Sequence, residues 1–592
     1  MRGGVGARAS PTRAAAPGRC AVGTRLARAM TVASRRGHGG RGVRHARTHV
    51  FAPLVRPEPA EGELPLVDPE ELVLVDGELG PVLRPEPKDS DVAREAWYLR
   101  NILTADVYDV AIESPLELTP RLSERIGANI YLKREDLQPV FSFKLRGAYN
   151  KMKQLTEEER ARGVITSSAG NHAQGVALSG QKLGCKAIIA MPVTTPAIKV
   201  EAVRRLGGVV ELVGENYDAT QAYAKKRSEE EGLTYIPPFD DPYVIAGQGT
   251  VGVEVLRQLP TAEIVFVPIG GGGLAAGMAA YIKAIRPEVK VIGVEPAGAN
   301  AMAISLSRGE IVKLSKVDGF ADGVAVREPG RDCFEIIQNM IDGIITVKTD
   351  QIAAAIKDVF GDTRSILEPA GAVAVAGAKA YCAAHGVTGN VVAVTSGANM
   401  NFDRLRVISE IADQGGKEEA TLLSIIPEKN GEFKRFVETV GDINISEFKY
   451  RVQGPDARVL YSIEVSDIQA VQDTMGRMQA LGFKTVDLSN DATTQFHLRH
   501  MTGGQSKVPN ERLYKVEIPE RAGALGNFLD FISPKWSISM THYRNDGGRV
   551  GQVLFGVQVP EDEREDFEKC LDGCGYKHDD MSGNVAFKTL FG

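Results

Sequence analysis

The feature that most constrains the fold is a series of short, almost wholly apolar segments, each followed by a turn and a helical stretch, between residues 95 and 410. The segments are GVITS (163–167), KAIIAMP (186–192), GVVELVG (208–214), EIVFVPIG (263–270), KVIGVEP (290–296) and NVVAVTSG (390–397). Strands that are apolar on both faces and alternate with helices predict an α/β fold with parallel sheets. Ligands bind such sheets beyond the carboxyl ends of the strands, so the Gly-rich turns there are candidate sites.

A different pattern begins after a polar stretch near residue 413, where the chain contains an internal repeat. Residues 421–451 align with residues 513–544, with Pro427 on Pro519 and Phe436 on Phe528. Each copy has the order strand, turn, helix, strand, which predicts two ferredoxin-like α+β domains. The predicted divisions are a leader (1–57), a linker (58–94), a catalytic domain (95–412) and two small domains (420–500 and 512–592).

The first 57 residues differ in composition from the rest. They contain twelve Arg and no Asp, Glu or Lys, which is typical of an organelle transit peptide. A basic arm that binds nucleic acid is the alternative. Without this segment the formal net charge falls from −6 to −18, which disfavours binding to phosphate backbones. We therefore predict import into the plastid stroma, with the mitochondrial matrix as the alternative, and no nucleic-acid partner.

Cysteine content and hydropathy exclude further classes. The six Cys are scattered and form no CxxC pair, so we predict a reducing compartment, no metal site and no catalytic thiol. No apolar run reaches the roughly 20 residues that cross a bilayer, so no membrane association is predicted.

The stretch SFKLRGAYN, residues 142–150, carries the first candidate catalytic residue. Lys144 follows an aromatic residue at a predicted helix start, and a partly desolvated Lys can act as a Schiff-base nucleophile. A surface Lys at a helix start is far commoner, so this motif alone decides nothing.

Three turns after strands carry the other candidates. SSAGNHAQG (167–175) can hold a carboxylate at a helix N-terminus, or be an ordinary capped turn. The four glycines of VPIGGGGL (267–274) favour close approach of the backbone to a phosphate, because glycine costs backbone entropy. VTSGANMN (394–401) places Ser396 at a strand end, where it can face a pyridine nitrogen or be a plain turn residue.

Together with PFDDPYVIAGQGT (238–250) and EPAGA (368–372), these motifs resemble those of the fold-type II pyridoxal-phosphate enzymes. The threonine deaminase family, which ends in paired ACT-like domains, is the most similar. The resemblance covers nearly all of residues 95–592. It implies two parallel-sheet α/β subdomains followed by the two regulatory domains. It also implies deamination of L-threonine to 2-oxobutanoate and ammonia by dehydration, the first committed step of isoleucine biosynthesis, with L-serine as a further substrate.

The resemblance also implies roles for single residues. Lys144 bonds covalently to pyridoxal 5'-phosphate and moves the substrate α-proton, and Phe143 packs on the ring. Asn171 hydrogen-bonds the ring oxygen and Ser396 faces the ring nitrogen. The phosphate-binding residues are Gly270, Gly271, Gly272, Gly273 and Leu274. The substrate carboxylate is held by Ser168, Ala169, Gly170, Asn171 and His172.

Ala169 separates this chain from the similar serine racemases, which have a second Ser at that position. Alanine cannot donate a proton. We therefore predict one-way elimination with negligible D-threonine or D-serine, which chiral chromatography would measure.

The resemblance implies that the regulatory half mediates feedback inhibition by isoleucine, with valine opposing it, and that the chain forms a homotetramer. The candidate effector residues are the repeated pairs Tyr450-Arg451 and Tyr543-Arg544. A Tyr packed at a strand end beside a solvated Arg is the alternative for each pair. Two other functions remain open: a broad serine/threonine dehydratase, and an amino acid sensor without catalysis.

Overall fold

The computed structural model describes residues 64–71, 82–83, 91–415 and most of 419–590. Gaps within the last range lie at 428–431, 442, 444, 454–455, 466–467, 490, 492, 495–496, 499–507, 520–527, 529, 533–534 and 545–549. The leader predicted for residues 1–57 lies outside the described residues. The side chains of all four candidate effector residues also lie outside them, although their backbones are described.

The described part contains twenty strands and eighteen longer helices. The strands are β1 (Leu66–Val67), β2 (Leu116–Leu118), β3 (Asn129–Arg134), β4 (Val164–Ser167), β5 (Ala187–Met191), β6 (Val209–Leu212), β7 (Thr234–Tyr235), β8 (Ile264–Pro268), β9 (Lys290–Pro296), β10 (Lys313–Leu314), β11 (Gly343–Val347), β12 (Asn390–Thr395), β13 (Glu419–Pro427), β14 (Ile445–Gln453), β15 (Asp456–Glu464), β16 (Lys484–Asp487), β17 (Glu511–Pro519), β18 (Ile538–Arg544), β19 (Val550–Gln558) and β20 (His578–Asp580).

The helices are α1 (Val92–Leu103), α2 (Pro120–Ile126), α3 (Lys144–Lys153), α4 (Glu157–Arg162), α5 (Asn171–Leu183), α6 (Ala197–Arg205), α7 (Tyr217–Glu231), α8 (Pro242–Gln258), α9 (Gly273–Ile285), α10 (Ala301–Arg308), α11 (Arg331–Met340), α12 (Thr349–Thr363), α13 (Pro369–His385), α14 (Arg404–Gly415), α15 (Glu432–Val440), α16 (Ile468–Ala480), α17 (Arg564–Gly573) and α18 (Val585–Leu590).

Two parallel sheets form the catalytic part, as the strand pattern predicts. The larger sheet has the order β11-β9-β8-β12-β3-β2, and only its edge strand β2 runs antiparallel to its neighbour. The smaller sheet has the order β6-β5-β4-β7 and is parallel throughout. Strand β8 shows why the central strands are apolar on both faces. Val265 and Val267 enter one core cluster, whereas Ile264 and Phe266 enter the cluster on the opposite face.

The repeat forms two small antiparallel sheets of the same topology. Their orders are β14-β15-β13-β16 and β18-β19-β17-β20, which place equivalent strands at equivalent positions. The aligned prolines, Pro427 and Pro519, each end the first strand of their unit. One hydrophobic cluster, which includes Leu423, Leu460 and Leu554, contains buried residues of both small sheets. We call these sheets, with their helices, the first and second regulatory units.

Part of the segment assigned to a linker packs on the catalytic part. β1 pairs in parallel with β10, and Val67 is buried with Ala301 and Leu314. Farther along, Leu83 forms an antiparallel bridge with Ile344 of β11. The Pro-rich and Glu-rich composition of residues 58–94 did not predict these short backbone pairings.

A buried charge network lies behind helix α3. Arg146 bonds Glu135 at 2.8 Å and Glu254 at 2.6 Å, and Lys133 bonds Glu254 at 2.6 Å. All four side chains are fully buried. Removing one member of such a network leaves uncompensated charge, so the contacts hold α3 in place against β3 and α8.

Candidate active site

One cleft, with a volume of about 2060 Å³, brings together every predicted cofactor and substrate residue. These are Phe143, Lys144, Ser168, Ala169, Gly170, Asn171, His172, Gly270, Gly271, Gly272, Gly273, Leu274 and Ser396. Four residues of the second regulatory unit line the same cleft: Glu517, Val550, Gln552 and Lys577. The cleft lies at the carboxyl ends of β4, β8 and β12, as expected for parallel sheets.

Lys144 begins helix α3, and its side chain is half-buried. Its Nζ donates a hydrogen bond to the carbonyl oxygen of Pro238 at 2.8 Å. The ammonium lies 5.3 Å from the ring centre of Phe143 and 6.0 Å from that of Phe239. Burial lowers the pKa of Lys144 to about 8, which makes the neutral, nucleophilic amine accessible near physiological pH.

The glycine turn between β8 and α9 has no room for side chains. A Cβ at Gly271 would lie 2.3 Å from the ring of Phe239, and one at Gly273 would lie 3.0 Å from the carbonyl oxygen of the same residue. Gly272 has a φ of 101°, which L side chains rarely adopt. Helix α9 begins at this turn, so free N–H groups and the positive end of the helix dipole meet there.

Asn171 begins helix α5 and is held on two sides. Its Nδ2 donates to Glu368 Oε1 at 2.6 Å, and its Oδ1 accepts from Asn399 Nδ2 at 2.7 Å. Burial raises the pKa of the Glu368 carboxyl to about 7, and the negative charge of Asp322 acts in the same direction. Asn171 therefore has a defined amide orientation before any ligand binds.

The predicted carboxylate-binding turn precedes α5. The hydroxyl of Ser168 accepts a hydrogen bond from the N–H of Gly170 at 3.3 Å. His172 Nε2 donates to the carbonyl of Ile236 at 2.9 Å, while Nδ1 has no partner among the described residues. Burial and the charge of Lys144 lower the pKa of His172 to about 3, so its ring is neutral.

Ser396 directly follows the buried strand β12 and is 4% exposed. Its Oγ donates a long hydrogen bond of 3.3 Å to the carbonyl of Ala370, and its own carbonyl accepts from the N–H of Phe143 at 3.3 Å. The SGAN turn thus lies directly beside the Lys144 motif.

Four residues of the cleft were not assigned a role from the sequence. Phe239 packs on the glycine turn, and Asp240 accepts N–H bonds from Arg331 and Cys333 at the start of α11. Glu368 and Asn399 hold Asn171. All four lie within or beside motifs already recognised. Their partners are distant along the chain, so no local sequence pattern indicated these contacts.

The residues of the cleft fit pyridoxal phosphate. A Lys with a lowered pKa lines the same cleft as an amide donor, a helix N-terminus with a glycine turn and a neutral hydroxyl. These groups suit an aldehyde, a ring oxygen, a phosphate and a ring nitrogen, respectively. A protein that binds only amino acids has no need of a desolvated amine beside a glycine turn.

Among the described residues, no helix is long and apolar enough to cross a membrane. The described part also contains no cluster of three or more His, Cys, Asp or Glu side chains arranged to hold a metal ion.

Comparison with known proteins identifies the family. Residues 107–397 match the pyridoxal-phosphate-dependent enzyme family, and residues 410–498 and 502–591 each match the C-terminal regulatory domain of threonine dehydratase. The chain is 54% identical over 541 residues to the biosynthetic, chloroplastic threonine dehydratase of Arabidopsis thaliana, covering 90% of this chain and 91% of the relative. It is 52% identical over 550 residues to threonine dehydratase 1 biosynthetic, chloroplastic of Solanum lycopersicum, covering 91% and 90%.

A solved structure is also similar. It is the processed form of threonine deaminase isoform 2 from Solanum lycopersicum, which is 53% identical, with a TM-score of 0.59. The match covers 61% of this chain and 99% of that chain. Fold, site and relatives lead to one conclusion: the chain belongs to the biosynthetic threonine dehydratase family of pyridoxal-phosphate-dependent lyases.

Proposed function

We propose that this chain deaminates L-threonine to 2-oxobutanoate and ammonia in the cleft that contains Lys144. The observation that carries the proposal is that the half-buried Lys144, whose pKa is lowered by burial, lines the same cleft as the glycine turn at Gly270–Leu274. The overall change is loss of water across the α- and β-carbons, followed by hydrolysis of the carbon–nitrogen bond.

When bound, pyridoxal phosphate supplies an electron-withdrawing ring that stabilises negative charge at the substrate α-carbon. The chain's own residues supply position and proton transfer. Lys144 removes the α-proton as general base, and a pKa near 8 keeps part of the amine neutral for that task. The N–H groups from Ala169 to His172, with the Ser168 hydroxyl, hold the substrate carboxylate at the start of α5.

Ser396 restricts the reaction type. A carboxylate at the ring nitrogen would hold that nitrogen protonated, whereas a neutral hydroxyl does not. A weaker electron sink favours elimination over the side reactions that a protonated ring permits. The buried position of Ser396, beside the Lys144 motif, supports this role.

We further propose that isoleucine inhibits the enzyme and that valine opposes it, with both binding at the regulatory units. Tyr450 and Tyr543 occupy equivalent strands and oppose equivalent residues, Val459 and Val553. The contact between the second regulatory unit and the cleft supports regulation of catalysis. Inhibition requires that isoleucine bind the inactive arrangement more tightly than the active one.

One assay tests the function: release of keto acid from L-threonine and from L-serine by the full chain, with and without isoleucine. Threonine turnover that isoleucine suppresses is expected. Turnover without any response to isoleucine would favour a broad dehydratase, and a protein that binds isoleucine but releases no keto acid would be a sensor. Gel filtration with light scattering would test the proposed tetramer.

We also propose that the chain acts in the plastid. The Arg-rich, acid-free composition of residues 1–57 supports import, and relatives named chloroplastic support the compartment. A fluorescent protein fused to residues 1–57 should enter plastids; accumulation in mitochondria would contradict the proposal.

A further inference from the structure

Glu368 is a buried carboxyl that the proposed chemistry does not use. It lies just before helix α13, is 4% exposed, and lines the cleft. Its Oε1 accepts a hydrogen bond of 2.6 Å from Asn171, the residue expected to face the cofactor ring oxygen. A buried carboxylate costs free energy, so its position beside a binding residue calls for a function.

Two glycines leave space for this carboxyl. A Cβ at Gly397 would lie 2.4 Å from Glu368 Oε1 and 3.2 Å from Asn171 Nδ2. A Cβ at Gly323 would lie 3.6 Å from the same oxygen and 2.8 Å from Cβ of Ala370. The backbone therefore approaches Glu368 from two separate loops.

Among the described residues, one N–H of the Asn171 amide has no hydrogen-bond partner. Asn399 Nδ2 donates to Asn171 Oδ1 at 2.7 Å and to the carbonyl of Val140 at 2.7 Å, which fixes which end of each amide is oxygen. One N–H of Asn171 is used by Glu368. An amide nitrogen carries two hydrogens, so the other N–H is available to a ligand oxygen.

Besides burial, two charged groups act on the pKa of Glu368: Asp322 raises it and Lys199 lowers it. The charge of Glu368 in turn raises the pKa of Lys144. Lys199 and Asp322 form an ion pair of 3.0 Å, which joins α6 of the smaller subdomain to a loop of the larger one. With its pKa near 7, Glu368 changes charge close to physiological pH.

Asp322 also contacts the helix that leads to the regulatory units. Arg404, the first residue of α14, places Nη1 3.8 Å from Asp322 Oδ1 and donates from Nη2 to the carbonyl of Phe320 at 2.8 Å. Its side chain is 9% exposed. Helix α14 ends at Gly415, and the first strand of the first regulatory unit begins at Glu419.

We propose that Glu368 is a positioning residue that acts on the ring oxygen of bound pyridoxal phosphate through Asn171, and that Arg404 of α14 tunes it through Asp322. The inference rests on the proposed function, in which Asn171 faces that oxygen. Ionised Glu368 accepts more strongly from Asn171 and places negative charge near the ring. A displacement of α14 changes how well Arg404 neutralises Asp322, and hence how readily Glu368 ionises.

The test measures the cofactor absorbance band of the purified holoenzyme from about pH 5.5 to about 8.5. A midpoint near 7 is expected in the unsubstituted protein and should be lost in Glu368→Gln, which keeps the shape and an acceptor oxygen but cannot ionise. Asp322→Asn should lower the midpoint and Lys199→Met should raise it, each by about one pH unit. These opposite shifts remain decisive if Glu368→Gln fails to fold.

Arg404→Met should raise the midpoint by a smaller amount, because its contact with Asp322 is longer. Arg406→Met is the matched control: it removes the same charge from an exposed position on α14 and should leave the midpoint in place. Equal behaviour of the two Arg variants would overturn the link to α14. A midpoint retained in Glu368→Gln, or equal shifts from Asp322→Asn and Lys199→Met, would overturn the role of Glu368.

The outcomes also separate this inference from the proposed function. A protein that shows no cofactor absorbance at any pH contradicts the proposed function, and the inference fails with it. A protein that shows the band and turns over threonine, but whose band responds to none of these variants, contradicts only the inference.

Discussion

The catalytic part and the two regulatory units bury different kinds of side chain. Behind the site, Lys133, Glu135, Arg146 and Glu254 are all fully buried and bonded to one another. Among the described residues of the regulatory units, no Lys, Arg, Asp or Glu is buried. The core of the second unit is instead rich in aromatic rings, namely Tyr514, Phe528, Trp536, Phe555 and Phe567.

The difference has a physical consequence. Shifting one member of a buried ion network leaves another charge uncompensated, at a cost of about 3–5 kcal/mol. Apolar and aromatic cores can shift without that penalty. The catalytic part is therefore held in one arrangement around Lys144, whereas the regulatory units can respond to a ligand at lower cost. Four predictions test this contrast, the largest expected effect first.

Lys144→Ala should abolish the function of the catalytic part without altering the regulatory units. Turnover of threonine should fall by roughly 10⁴-fold or more, because we propose that the same amine binds the cofactor and moves the proton. Keto acid release and the visible cofactor band measure the loss. Calorimetry should still detect isoleucine binding by the variant. Substantial turnover would rule out the assignment of Lys144.

Arg146→Met should destabilise the catalytic part by about 3–5 kcal/mol, because Glu135 and Glu254 lose their shared partner. Arg435→Met in the first regulatory unit is the control. Arg435 lies 3.5 Å from its partner Glu432, and the Arg435 side chain is 48% exposed. The loss of unfolding free energy in this variant should therefore stay below about 1 kcal/mol.

The two tryptophans, Trp97 in α1 and Trp536 in the second regulatory unit, allow this measurement. With Trp536→Phe, the fluorescence of Trp97 follows urea unfolding of the catalytic part. Equal effects of the Arg146 and Arg435 variants on the unfolding free energy would remove the contrast between the two regions.

Tyr543→Ala should raise the isoleucine concentration that halves activity by about tenfold, equivalent to about 1.4 kcal/mol of coupling. Inhibition curves for this variant and for Tyr450→Ala, its counterpart in the first unit, show whether both repeats bind effector. An inhibition curve identical to that of the unsubstituted enzyme would exclude Tyr543 from the site.

Tyr461→Phe should have the smallest effect, about 1 kcal/mol. The Tyr461 hydroxyl lies 3.2 Å from the buried hydroxyl of Ser424, which also bonds Thr485 at 2.8 Å. The second unit has Phe555 at the equivalent position, since each of these residues pairs with its unit's first strand in the same register. Urea unfolding followed by circular dichroism measures the change, and a cost above about 3 kcal/mol would show a more rigid polar core than proposed.

Much of the fold could be predicted because its signals are local. Each apolar segment quoted from the catalytic part contains a strand, and the aligned prolines end equivalent strands of the two regulatory units. The segment before residue 94 was different. Val67 pairs with β10 and Leu83 with β11, but pairings of one or two residues leave no periodicity for a sequence pattern to reveal.

The site could be predicted in part for the same reason. Each of three contiguous motifs carries one part of the site: Lys144, the glycine turn and the SGAN turn. All three motifs line one cleft. The roles assigned to them remain predictions for the experiments above. The effector residues lie in the expected strands, but their side chains fall outside the described residues.

By itself the sequence determined which chemical groups are present and which local elements carry them, because strand periodicity, glycine turns and the repeat are properties of neighbouring residues. Only the tertiary structure decided which distant groups meet. Glu368 lies 197 positions from Asn171, and the Pro238 carbonyl lies 94 positions from Lys144. Such contacts depend on how whole sheets and helices pack, and this packing sets the burial that lowers the pKa of Lys144 and raises that of Glu368.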